Sequence, residues 1–213
     1  MHIPDGFVDL KTVVTTAAVS AGGTGASIYK IKKIFKAKTI AVMGVLAALI
    51  FALQMINFSI PGGTSGHLLG GALSSIVAGP FGGSIILTVV LIVQALIFND
   101  GGITALGANI FNMAIIGVFS SYLIYYLIRK ISGSRTVFYI SVAVASWFSV
   151  VLASFFAALE LGISGTYTMG ITLKAMVLVH MVIGVGEAFI TTMVIAFINR
   201  IRPDLILSNQ NNL

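Results

Sequence analysis

The sequence predicts an all-α membrane protein with seven transmembrane helices, its N-terminus outside and its C-terminus cytoplasmic. Composition and run length carry that prediction, and the placement of charge orients it. Of 213 residues, 58% are hydrophobic and 8% are charged, whereas soluble domains carry about 25% charged residues. The mean hydropathy is +1.07. The apolar runs are continuous over about 20 residues, the length of a bilayer-crossing helix, and lack the alternation of a barrel strand.

The predicted spans are 10–31, 39–57, 66–78, 84–98, 103–128, 136–159 and 172–201. The first is apolar with Gly22, Gly23 and Gly25 in its second half, and the stretch "KIKKIFKAK" ends it. The second carries Gly44, Ala48 and Ala52 at four-residue spacing, a stripe that lets another helix approach closely. The third and fourth are short, and "GPFGG" separates them. The last three are long runs bounded by Arg129, Lys130 and Arg135, by the glycines near 165, and by Arg200 and Arg202. A cleavable signal places cations before its apolar stretch. Here Asp5 and Asp9 precede it and the lysines follow, so the terminus is expected to be retained outside.

Loops 30–38, 79–83, 129–135 and the C-terminal tail then face the cytoplasm. They hold ten of the twelve basic residues, leaving Lys11 and Lys174 outside, as the positive-inside rule requires. The chain reads as one integral membrane domain over 1–213: an extracellular loop 1–9, a bundle 10–201 and a cytoplasmic tail 202–213. The net charge of +6 follows from this topology, so lipid is the expected surroundings and nucleic acid is not an expected partner. The chain has no cysteine and no GxxxxGK[ST] motif. Thiolate metal sites and ATP hydrolysis by that route are therefore not expected, and the chain does not read as an enzyme.

Three histidines exist: His2, His67 and His180. The predicted topology puts His2 and His67 on the same face of the membrane. Methionine aminopeptidases need a small second residue, so Met1 should stay in front of His2. Its amine, the His2 peptide nitrogen and the His2 imidazole can then chelate one ion in fused rings. Deprotonating a peptide nitrogen suits Ni(II) and Cu(II), and a fourth nitrogen from His67 would complete a square plane. The residues alone leave this open beside a solvated terminal histidine and a helix-start cap.

The segments "MHIPDGF", "QMINFSIPGGTSGHLLGG", "VQALIFNDGGITALGANIFNM" and "HMVIGVGEAFIT" together resemble the CbiM/NikM family. These are substrate-binding (S) components of energy-coupling-factor (ECF) transporters for cobalt and nickel. The resemblance runs from residue 1 to about 192. It implies that the terminal loop plugs into the bundle, with Met1, His2 and His67 as metal ligands. Ni²⁺ or Co²⁺ would be the transported substrate, with no cofactor besides. The implied partners are a transmembrane T component, two ATPase subunits and a small accessory membrane protein. An S component for a vitamin and a standalone metal channel or sensor are the alternatives.

A metal-bound imidazole usually donates its other nitrogen to a carboxylate or amide. Asp5, Asn57, Gln94, Asn99 and Asp100 are candidates for that supporting role, and Asn109 and Asn112 are further amides. Helix gluing is the alternative. His180 and Glu187, seven apart on one helix face, read either as support for the metal loop, as part of an ion path, or as a polar pair that orients helices.

Overall fold

The computed structural model describes residues 1–32 and 37–206. Part of the predicted 30–38 loop and the tail beyond Ile206 lie outside the described residues. Helix α1 (Leu10–Ile31) begins where the Asp9 carboxylate accepts the Thr12 N–H at 2.9 Å, which satisfies an otherwise orphan donor. Helix α2 (Ala37–Gln54) follows, then a two-residue antiparallel pair of β1 (Phe58–Ser59) and β2 (Ser65–Gly66). Helix α3 spans Gly71–Ile97. Helix α4 (Leu106–Asn109), a π-helix (Ile110–Gly117) and α5 (Val118–Arg129) continue as one 24-residue rod. Helix α6 (Arg135–Ile163), capped by Ser134, and α7 (Met169–Ile201) complete the bundle. Four of these, α3, the α4–α5 rod, α6 and α7, are long and apolar enough to cross a membrane.

Helix α7 explains the packing. Its buried stripe is Thr172, Met176, His180, Gly184, Glu187, Thr191 and Ile195, mostly small or polar. Its opposite stripe, including Leu178, Val182, Val185, Phe189, Met193 and Phe197, is exposed. A soluble helix would bury the second set; a helix in lipid buries the first. Helix α6 lines the interior with Ser141, Ala145, Ser146, Ser149, Ala153 and Ala157. Such small residues let backbones approach closely where no hydrophobic force draws helices together.

Helix α3 departs from the expectation of separate helices at 66–78 and 84–98. Gly79 inside it has φ 73° and ψ 167°, a left-handed conformation that glycine adopts without a Cβ clash. Pro80, lacking an N–H, suits the first position of a new helical arm. A Cβ on Gly83 would lie 2.9 Å from Ser75 N and 3.0 Å from the Ser74 carbonyl carbon. Eight residues of straight helix would separate such positions by about 12 Å, so the chain folds back at Gly79. The joint is one residue rather than the five expected. The described residues thus hold six helical elements, one bent into the arms 71–78 and 80–97, instead of seven separate helices.

Residues 64–70 are non-helical because their polar groups are satisfied from neighbouring elements. Gly66 pairs with Phe58, and Thr64 N–H points to Met176 Sδ at 3.5 Å. The Leu69 and Gly70 N–H groups donate to the Glu187 carboxylate at 2.8 and 2.7 Å, while Gln54 Nε2 donates to Leu69 O at 2.7 Å. Glu187 therefore holds the N-terminus of the first α3 arm, where a helix favours negative charge. Buried non-helical backbone in a membrane protein requires such partners.

The loops around residues 57, 100, 104 and 166 meet residues 1–9 at one end of the bundle. The opposite end carries Lys30, Lys32, Arg129, Lys130, Arg135, Arg200 and Arg202.

Gly83→Ala should destabilise the detergent-solubilised protein by about 1–3 kcal/mol, because its Cβ meets backbone that cannot yield cheaply. Gly44→Ala, whose Cβ meets nothing within 4 Å, should leave stability unchanged or raise it by up to about 1 kcal/mol through helix propensity. Chemical unfolding of the two variants side by side makes the comparison.

Candidate metal centre

The first three residues are buried: Met1 and Ile3 are fully enclosed and His2 is 3% exposed. A buried chain terminus must find partners for each polar group, and here they come from three loops and helices. The Met1 amine donates to Ser65 O and, at 3.0 Å, to Ser65 Oγ; the His2 N–H donates to the same hydroxyl at 3.1 Å. The Ile3 N–H donates to Asn109 Oδ1 at 2.8 Å, and Ile3 O accepts from Asn109 Nδ2 at 3.1 Å and Gly102 N at 2.8 Å. Asp5 fastens the next turn, accepting from Thr104 N and Oγ1 at 2.7 and 2.5 Å. A Cβ on Gly102 would strike the Pro4–Asp5 backbone, so the terminal loop seats directly on that glycine.

This seating stacks the rings of His2 and His67, centroids 4.3 Å apart and planes 18° from parallel. Both side chains are buried. His67 donates Nδ1–H to Leu68 O at 2.7 Å, leaving Nε2 as a lone pair without a donor. On His2, Nε2 faces Gln94 Oε1 at 3.1 Å and Nδ1 faces Asp100 Oδ1 at 3.3 Å. A neutral ring can donate to only one of these acceptors. Donation to Gln94 leaves the Nδ1 lone pair beside the Asp100 carboxylate, with His67 Nε2 also undonated, and a cation satisfies all three.

Burial pushes the Met1 amine well below its ordinary pKa and lowers that of His2, with the Asp100 carboxylate opposing both shifts. The two bases are thereby held toward the neutral forms that ligate metals. Burial raises the Asp100 pKa, but the interactions with His2, the Met1 amine and Asn57 together outweigh it, so the net shift is downward. A cavity of about 610 Å³, lined by His2, Asp5, Ser65, Asp100 and Tyr167 among others, adjoins the site at the loop end.

The structure thus brings together Met1, His2, His67, Gln94 and Asp100, with Asn57 Nδ2 donating to Asp100 Oδ2 at 3.0 Å behind them. Asp5 braces the terminal loop and does not touch the imidazoles. Asn99 is a backbone element, turning the loop with φ 54°. His180 and Glu187 share a buried face without pairing: His180 Nδ1 bonds Met176 O at 2.7 Å, and Glu187 holds Leu69 and Gly70. Glu160, one residue beyond the predicted span 136–159, lies inside α6, which continues to Ile163, and accepts from Asn112 Nδ2 at 2.7 Å. Ser65 escaped the sequence reading although it stands in "GTSGH", two residues before the histidine. Asn109 was visible only as one amide among several. Among the described residues, no three His, Cys, Asp or Glu side chains gather as a metal-binding group, so any nitrogen set here needs the chain terminus.

Two outcomes test this arrangement. Asn109→Ala removes two buried hydrogen bonds worth about 1 kcal/mol each. Hydrogen exchange at Ile3 and Gly102 should accelerate on the order of 30-fold. Separately, the amine and His2 have lowered pKa values when docked, so the undocked terminus binds more protons. Docking in metal-free protein should therefore be strongest above pH 8 and weaken as pH falls through 8 for the amine and 6.5 for His2. Aminopeptidase release of Met1, measured relative to a peptide control at each pH, should rise over that interval.

Comparison with known proteins identifies the lineage. The family described as "Cobalt uptake substrate-specific transmembrane region" (CbiM) matches residues 2–205. An Archaeoglobus fulgidus protein, provisionally named a fused nickel transport protein NikMN, is 43% identical over 97% of this chain and 68% of its own. The fused nickel transport protein NikMN of Rhodobacter capsulatus is 31% identical, over 97% of this chain and 64% of its own. The crystal structure of a transition metal transporter superposes with a TM-score of 0.91 at 33% identity, covering 98% of this chain and 97% of that one. With its apolar helices and its archaeal and bacterial relatives, the chain is a multi-pass protein of a prokaryotic cell membrane. It belongs to the CbiM family, as a substrate-specific component of cobalt and nickel transport.

Proposed function

We propose that this chain is the S component of an ECF-type importer, capturing Ni²⁺, or Co²⁺, from outside in a square-planar nitrogen site. The ligands are the Met1 amine, the His2 peptide nitrogen and Nδ1, and His67 Nε2. The observation that carries the proposal is the convergence of the buried amine with two buried imidazoles that lack donors where lone pairs are needed. Binding the peptide nitrogen displaces its proton, a step Ni(II) promotes better than earlier divalent metals. Asp100 offsets the charge of the incoming ion, and with Asp5 it lines the adjoining cavity through which a hydrated cation enters.

Counting the arms of α3 separately, the chain crosses the membrane seven times, with its N-terminus outside and its tail in the cytoplasm. The basic residues at the end opposite the site support that orientation. The chain hydrolyses no ATP; two ATPase subunits and a transmembrane T component supply the energy, with a small accessory membrane protein as a further partner. Movement of the S component then opens the site inward.

Nickel titration by calorimetry should give one tight site per chain. His67→Ala, or one extra residue ahead of Met1, should weaken it on the order of 100-fold or more, because removing only a ligand's hydrogen-bond partner already costs about 10- to 100-fold. Unchanged affinity in both variants would refute the site.

A further inference from the structure

We infer that His180 and His67 form a second, inner metal station, onto which the ion passes when it leaves the chain terminus. The inference rests on the proposed terminal site only for the ion's origin; the station itself stands on the geometry of α7 and residues 64–70.

His180 is fully buried on the interior stripe of α7. Its Nδ1 is within 2.7 Å of the Met176 carbonyl oxygen, so it carries the ring proton and donates it. Its Nε2, on the far side of the ring, is buried without a hydrogen-bond partner among the described residues. His67 has the same arrangement, with Nδ1–H donated to Leu68 O and Nε2 undonated. An imidazole whose N–H is fixed on a backbone carbonyl, with the other nitrogen bare, is prepared as a metal ligand. An ordinary buried histidine would find a donor for that nitrogen.

The segment that carries His67 runs along the helix that carries His180. Residues 64–70 lie along the interior stripe of α7: Thr64 meets Met176, Gly66 approaches Ile183, and Leu69 and Gly70 bond Glu187. His67 thus lies in the segment packed against the stretch of α7 that contains His180. Met176 Sδ, already beside Thr64 N and Oγ1 at 3.5 and 3.8 Å, adds a soft donor on the same stripe. Two imidazoles suit Ni(II) and Co(II). Because His67 belongs to both sets, the ion can exchange the amine and His2 for His180 without leaving His67. Glu187, seven residues further along α7, places a carboxyl group on the inward side.

The experiment uses the full chain with one glycine added ahead of Met1, which removes the terminal chelate and leaves the inner pair. Co²⁺ alone is the probe, followed by visible absorption and calorimetry. The extended chain should retain one weaker site with a nitrogen-ligated cobalt spectrum. His180→Gln, whose amide can still donate to Met176 O, should weaken that site on the order of tenfold or more. Melting temperatures equal to the parent's would show that the fold is kept. Absence of residual binding, or residual binding unchanged by both His180→Gln and His180→Ala, would overturn the inner station. Failure of the terminal site shows differently: the extra glycine would then leave the affinity of the otherwise unaltered chain intact.

Discussion

The burial of residues 1–3 is the constraint on which the rest of this structure depends. An amine, two peptide N–H groups and a carbonyl enter an apolar bundle, and each must be met there. Ser65 meets the amine and the His2 N–H, while Asn109 and Gly102 meet Ile3. These partners come from the β2 loop, from the start of the rod and from the loop between α3 and the rod. Three otherwise separate segments are thereby held in register around two imidazoles. The apolar side chains of Met1 and Ile3 contribute to the seating, at about 1.5–3 kcal/mol each for full burial. The hydrogen bonds determine orientation more than they determine net stability.

A second constraint acts beneath the first. The segment carrying His67 is not helical, and in a membrane protein such backbone persists only when other elements satisfy it. Glu187 does this with two accepting oxygens, and Gln54 with one donor. The polar stripe of α7 is thus the wall against which the loop carrying His67 is built. The eight-residue π-helix faces the same interior: Gly117 abuts Leu69, and Asn112 holds Glu160. π-Helical segments often accompany functional sites, and this one continues directly from the asparagine that clamps Ile3.

Much of this was legible in the sequence. Apolar run length located the long helices, and covalent chemistry alone made the Met-His terminus a candidate chelate beside a solvated terminal histidine. Gln94 and Asp100 stood among several amides and carboxylates that could support a metal-bound imidazole, with helix gluing as the alternative. What could not be read depends on contacts between distant segments. Residues 66–70 look helical by hydropathy, yet Glu187, over a hundred residues away, holds them out of a helix. Gly79 and Pro80 announce a turn, but only the approach of Gly83 to Ser74 and Ser75 makes it a one-residue fold-back. Ser65 and Asn109 carry no local signal that separates them from the other hydroxyls and amides of the chain.

The central claim is that the terminus itself, and not a side-chain cluster, holds the ion. X-ray absorption at the nickel edge of the loaded full-length protein tests it most directly. The account predicts four nitrogen neighbours in a square plane and a diamagnetic ion. Six oxygen or mixed neighbours in an octahedron, with a paramagnetic ion, would contradict it.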